Sequence, residues 1–351
     1  MNRPTIKFLS ILFLTTIPLT IAAQEDSEKL QSNIFLQEDL VMPLDLAYVD
    51  GLLFVNDVYG SSLITGYDAI SGEKLIEFGR SGSGPGEYES VTIQKGPGTS
   101  TLEVVDVNNK KIDVYDVNCL KNFQSANNTA SCIENTYMVS TNRHAVTLTG
   151  NLIVNHNITP DGVLQISKEE IHQENLDTVP EELLNRYDRP IYAAMAMSGR
   201  ITANHDRSYF AYFADSFDHA LFFHRSDTEI RQIHEQTFTF IPDYTVENIG
   251  GSAILNEGDS YTYTFGSPDS GFENYYVLYS GKTSEDTEFE EGAEWRAFTN
   301  IVKVYNWQGS KERAIYLDID VFIITVSHDE QSLFGINYDE GMNPSIIKVS
   351  L

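Results

Sequence analysis

Positive charge is scarce in this chain. It carries 23 Lys and Arg against 51 Asp and Glu, a formal net charge of −28 at pH 7. A polyanion of that size is repelled by phosphate backbones and anionic headgroups, so nucleic acid and acidic membrane surfaces are excluded as principal partners. Long apolar runs are missing beyond the first two dozen residues, which argues against a membrane-spanning helix there. Cysteine is limited to Cys119 and Cys132. Continuous helical periodicity is scarce as well, which argues against a helical architecture. Two hydrolase signatures are also missing. There is no Gly-x-Ser-x-Gly elbow, and the eight histidines, among them His144, His156, His205, His219, His224 and His328, form no His-Glu-x-x-His helix and no clustered ligand spacing.

The N-terminus is different in kind. Arg3 and Lys7 precede an apolar run over residues 8–21, and Ala22-Ala23 follows. This is the pattern of a secretory signal peptide over residues 1–23, with an uncleaved anchor as its rival. Cleavage removes two basic residues and no acidic ones, taking the net charge from −28 to about −30. Export to a periplasmic or extracellular space is oxidising, so the even cysteine count predicts a Cys119–Cys132 disulfide. The Asn- and Ser-rich residues 120–131 read as the loop it closes; two buried free thiols are the competing reading. Closing so short a loop contributes about 3 kcal/mol at most.

Tyr and Phe number 19 each and β-branched residues are plentiful, a composition suited to strands. A turn followed by an alternating apolar strand recurs six times. The copies are residues 50–55, 100–105, 150–154, 206–212, 259–263 and 329–336, a period of roughly 50 residues that widens at the last step. A further strand follows each copy, at 63–68, 112–116, 163–166, 220–223, 301–305 and 346–349, and several turn into a fourth, at 74–78, 229–233 and 313–317. Six such units describe an all-β fold, a six-bladed β-propeller occupying residues 24–351 as one domain. The sixth unit ends at its third strand, while residues 33–40 belong to no blade. The count therefore predicts that this N-terminal strand closes the sixth blade and covers its edge. Two interruptions are expected: a short helix over residues 177–184, between blades three and four, and an acidic insertion over residues 282–296 that reads as a solvated loop.

One loop carries more than architecture. Gly79-Arg80-Ser81-Gly82-Ser83-Gly84-Pro85-Gly86-Glu87-Tyr88 has four glycines and a proline, so it continues neither helix nor strand. It lacks the Lys-Ser/Thr of a phosphate loop and opens no helix. The expected arrangement is an ordered join between blades one and two, with Gly84 and Gly86 at unusual φ and Arg80 and Glu87 paired or bonded to backbone. Arg80, Gly84, Gly86, Glu87 and Tyr88 are the candidate binding residues. The loop resembles the Gly-Arg-x-Gly-x-Gly-Pro-Gly-Glu-aromatic loop of the TolB-like six-bladed β-propeller family, exported and often lipid-anchored proteins of Gram-negative bacteria. Ile301-Val302-Lys303-Val304-Tyr305-Asn306-Trp307-Gln308-Gly309, followed by Leu317-Asp318, is similar to that family's fifth-blade hairpin. The missing cysteine near residue 23 departs from the lipid-anchored members. The resemblance implies a fold and little about activity.

The functional expectation is a non-catalytic, monomeric binding module for a protein, peptide or glycan, with no cofactor. The alternative is a metal-assisted hydrolase or lyase, using calcium or another divalent ion held by carboxylates around the channel. An acidic cluster at one channel entrance favours the second reading, and a channel lined by ordinary polar groups favours the first. Most of the many aromatics, such as Tyr212, Phe213, Tyr275 and Tyr276, are expected between blades.

Overall fold

A computed structural model describes residues 27–122, 126–139, 144–148, 152–168, 172–227, 229–249, 252–257, 262–282 and 298–351. The signal-peptide residues 1–23 lie outside that set, as does the acidic insertion apart from Lys282. Six sheets, each built on four antiparallel strands and one of them carrying a fifth, form the six blades of a β-propeller. The innermost strands are Pro43–Val49, Val91–Lys95, Ala145–Leu148, Gly199–Ala203, Phe265–Ser270 and Ile323–Val326. They surround one axis, and each begins at the same end of it. Neighbouring inner strands pack side by side around most of the ring, and Gln94 Nε2 donates to the Ala145 carbonyl at 2.9 Å between blades two and three.

The sixth blade closes as the strand count requires. Ser32–Leu36 pairs antiparallel with Pro344–Ser350, with Ser32 opposite Val349 and Ile34 opposite Ile347. The closing strand is shorter than residues 33–40, because the backbone turns at Asp39, whose φ is 67°. Phe35 meets Phe334 edge to face at 5.2 Å, and the Lys348 ammonium lies 5.6 Å from the Phe35 ring. A segment before it was not expected: Ser27–Leu30 runs parallel to Lys311–Val321 as a fifth strand on blade five. The N-terminal chain thus straps two adjacent blades.

Five of the six repeats fall where the sequence placed them. The fifth is corrected. Residues 259–261 lie outside the described set, and the second strand of blade five is Asn274–Tyr279, reached through Gly271-Phe272-Glu273. The inner strand before it, Phe265–Ser270, reads Phe-Gly-Ser-Pro-Asp-Ser. Gly, Pro and Asp are poor strand formers, and Pro268 cannot donate to a ladder. It is accommodated at a register shift between Phe265 and Pro268.

The Cys119–Cys132 disulfide is formed, with Cα atoms 5.5 Å apart. The residues it spans are more regular than a loop: Val117–Asn122 is helical and Ala126–Cys132 is a 3₁₀ helix. Between blades three and four the expected helix is Glu181–Arg186, and a second, Pro190–Ala196, follows with Pro190 in its first turn. Asp177 does not cap the first helix. Its carboxylate accepts the Val163 and Leu164 amides at 3.1 and 2.8 Å, and burial pushes its pKa up to about 6. A hairpin of Tyr244–Ile249 and Ser252–Glu257 connects blades four and five. Tyr212, Phe213, Tyr275 and Tyr276 are fully buried, as expected for aromatics between blades.

Candidate functional site

The six inner strands place one residue each, or nearly so, around the axis at the end where they begin. There the channel widens to a cavity of about 470 Å³, bordered by Asp45, Thr92, His144, Arg200, Ser267 and Ile323 from the six successive blades. Phe265, Phe322 and Tyr263 add apolar wall, and Ser90 forms part of the rim. This size is within the usual range of small-ligand sites. Farther along the axis the open space falls to about 50 Å³ and then about 20 Å³. The channel is therefore a blind shaft.

Side chains that cross the axis make the floor. Lys95, at the end of the blade-two inner strand, donates to the Ser270 carbonyl at 2.5 Å and the Val326 carbonyl at 2.6 Å, and pairs with Asp269 at 2.7 Å. One ammonium thereby ties blade two to blades five and six. Asp269 also accepts the Thr325 hydroxyl at 2.8 Å and the Val326 amide at 2.7 Å. Arg207 comes from blade four, donates to the Lys95 carbonyl at 2.6 Å and pairs with Glu103 at 3.3 Å. Glu103 is fully buried and accepts from Gln94 at 2.5 Å and from the Thr147 hydroxyl. The floor thus balances two cations with two carboxylates inside a strongly acidic protein.

Beyond the floor, His205, His328 and Phe272 meet with ring centroids 5.1–5.3 Å apart. The two histidines occupy the same position in matching turns of blades four and six. From sequence, His205 and His328, each preceding an Asp at a turn, are expected to bond locally in their turns; the adjacent aspartates do so: Asp206 accepts the Ser208 amide at 2.8 Å, and Asp329 the Gln331 amide at 3.2 Å. The next residue in each turn, Arg207 or Glu330, has positive φ and sends its side chain out of its own blade. Glu330 reaches blade five, where it accepts the Asn274 amide at 2.9 Å and the Tyr276 hydroxyl at 2.9 Å.

At the mouth, Asp45 and Arg200 differ in how they are satisfied. The Asp45 carboxylate accepts the Leu46 amide at 3.0 Å and the Ile93 amide at 2.9 Å. Burial raises its pKa to about 6, opposed by the attraction of Arg200. The half-buried Arg200 guanidinium makes no hydrogen bond among the described residues. With five N–H donors in a planar fork, it keeps donors for a further acceptor, with the Asp45 and Asp215 carboxylates bordering the same cavity. Among the described residues no three His, Cys, Asp or Glu side chains are grouped to hold a metal ion.

The glycine loop joins blade one to blade two, as expected, and leads inward to the rim at Ser90. Gly86 has φ 71°, while Gly84 does not have positive φ. The constraint at Gly84 is space: its amide donates to Glu87 Oε2 at 3.1 Å, and an added Cβ would lie 3.0 Å from that oxygen. Arg80 is exposed and pairs only through its backbone, its strand running parallel to Glu87–Tyr88. Tyr88 is fully buried, its hydroxyl 3.0 Å from Asp113 and 2.6 Å from the Tyr115 hydroxyl. The loop therefore brings no candidate residue into the shaft. Asp45, Lys95, Arg200 and Arg207 were not singled out from sequence; His144 was among the histidines named there.

The aspartates that end second strands hold this rim in place. Asp57 accepts the Val41 and Met42 amides at 2.7 and 2.9 Å, and Asp106 accepts the Glu89 and Ser90 amides at 2.8 and 3.2 Å. Each carboxylate thus fixes the chain entering its own blade's inner strand.

No protein-family model matches the chain, and no curated protein does. Solved structures do. A DUF4221-family protein of Bacteroides vulgatus is 11% identical, with 92% of this chain and 96% of that one covered and a TM-score of 0.52. A Bacteroides fragilis protein described as exported is 9% identical over 93% and 99% of the two chains, with a TM-score of 0.48. The β-propeller domain of Cps50 (Swd1) from Myceliophteria thermophila is 9% identical over 91% and 99%, with a TM-score of 0.46. At such identities the likeness is one of fold.

Proposed function

We propose that this is an exported, non-catalytic and monomeric binding module of the TolB-like kind, without a resident cofactor, that holds a protein, peptide or glycan at the wide mouth of its channel. The observation that carries the reading is the blind shaft, with a charge-balanced floor and an Arg200 guanidinium free of hydrogen bonds at its entrance. Carboxylates poised for metal chemistry would favour the alternative. Instead, Asp45 and Asp269 are each taken up by backbone amides, and Asp269 by Lys95 as well, while Asp215, the other carboxylate bordering the cavity, has the Ser198 hydroxyl 3.5 Å away. Export is supported by the pattern of residues 1–23 and by the disulfide. The exposed Arg80 on the glycine loop offers a secondary contact to a large ligand.

The test uses arrays of peptides and oligosaccharides probed with the purified protein and with Ser90→Trp, which fills the rim without touching the floor. Binding that Ser90→Trp abolishes, with the ligand recovered chemically unchanged, is the expected result. Ligands held equally well by the variant would overturn the placement at the mouth. A mass change in the recovered ligand would overturn the non-catalytic reading.

A further inference from the structure

We infer that the mouth takes the C-terminal end of a polypeptide, with the terminal carboxylate on the Arg200 guanidinium; this rests on the binding reading above and names its ligand class. Three observations converge. First, the shaft is blind: Lys95 and Arg207 cross it, and the ring cluster beyond them leaves about 20 Å³. A chain can enter such a shaft by one of its ends, whereas an internal segment must go in and come out side by side. Second, the cation facing the cavity has unused donors. Arg200 is half-buried at the mouth and makes no hydrogen bond among the described residues, while the neighbouring Asp45 already accepts two amides. A planar guanidinium matches a carboxylate in a bidentate pair.

Third, the walls suit a terminal residue. Phe265, Phe322 and Tyr263 offer apolar surface beside the hydroxyls of Thr92 and Ser267, a mixture that accommodates one side chain and a short length of backbone. The field of the whole protein adds a preference outside the shaft. With 51 acidic against 23 basic residues, it favours ligands whose upstream residues are basic. The ligand class is thus a polypeptide ending in an apolar residue with a free carboxylate, preceded by Lys or Arg.

The experiment compares two pools of random hexapeptides on the immobilised protein, one with free C-terminal carboxylates and one with C-terminal amides, alongside an oligoglucuronate. The free-acid pool should be retained at least about tenfold better than the amidated pool, the scale of a charge-assisted pair. Arg200→Gln should erase that preference. Because amidation alters the ligand and leaves the protein untouched, the comparison does not depend on how any variant folds. Equal retention of the two pools, a free-acid preference that survives Arg200→Gln, or stronger retention of the oligoglucuronate each overturns the inference. Equal retention that Ser90→Trp nevertheless abolishes ends the carboxylate assignment and leaves the mouth as the site. Retention indifferent to Ser90→Trp, or no retention of either pool, ends both for peptides.

Discussion

Replacing Lys95 by Met tests whether the floor holds the ring together. Methionine keeps most of the side-chain volume and removes the ammonium that joins blade two to blades five and six. The side chains of Lys95 and Asp269 are 15% and 13% exposed, so both charges are largely withdrawn from water. Removing one partner of a buried pair costs about 3–5 kcal/mol, most of it from the charge left behind. Asp269 keeps the Thr325 hydroxyl and the Val326 amide, which places the expected loss near the lower end, about 3 kcal/mol. At about 2.1 cal/mol/K per residue over roughly 300 ordered residues, the unfolding entropy near the midpoint is about 0.6 kcal/mol/K. The expected fall in Tm is then about 5 °C by calorimetry at pH 7. The double variant Lys95→Met/Asp269→Asn should regain part of the loss, with a coupling of about 1 kcal/mol or more. A single variant melting within about a degree of the parent, or strictly additive losses, would refute the floor as a clamp.

Asp177 gives a pH-dependent expectation. Burial raises its folded pKa to about 6, above an unfolded value of about 3.9. Its contribution is therefore complete below about pH 4 and is lost as pH rises through 6, by up to about 3 kcal/mol. Asp177→Asn retains an Oδ1 acceptor for both amides, so urea unfolding at pH 4 and pH 7 should show a smaller decline than in the parent. An unchanged decline would assign it to other groups. Deleting residues up to Leu36 removes the closing strand and the strand on blade five. The shortened protein should melt in one transition at least about 5 °C lower, since neighbouring blades share a core, and a shift of only a degree or two would show that closure contributes little.

The architecture was legible in the sequence because each blade writes it locally. Turns such as Asp50-Gly51 and apolar third strands such as residues 112–116 announce themselves within a few residues. The closing strand followed from counting strands. Blade five misled because its inner strand carries Gly266, Pro268 and Asp269, while Tyr261-Thr262-Tyr263 nearby has better strand composition. Helix Pro190–Ala196 was signalled by a proline followed by Ala193-Ala194, and the extra hairpin by Gly250-Gly251 between two strand-like runs. The shaft was hidden for a different reason. Asp45, Lys95, His144, Arg200 and Asp269 lie, one to the next, 49 to 69 residues apart and meet only when the ring closes. Superposing the repeats and asking which first-strand positions hold polar residues is the signal that would have found them.

The antiparallel seam of blade six also sets how the ring yields to force. Ser32 lies opposite Val349, so the two strands enter and leave the sheet at the same corner. Tension applied between these ends loads the ladder one hydrogen-bonded pair at a time, instead of shearing all its bonds together. Force arriving from the N-terminal side must first strip Ser27–Leu30 from blade five, pulling Glu28 away from Arg313, with which it pairs at 3.0 Å. Only then does it reach Ser32, whose amide is also held by Asp318 at 2.9 Å. A ring expected to melt as a whole when heated can therefore be unzipped mechanically from a single corner, in a fixed order, blade five's extra strand before blade six's seam.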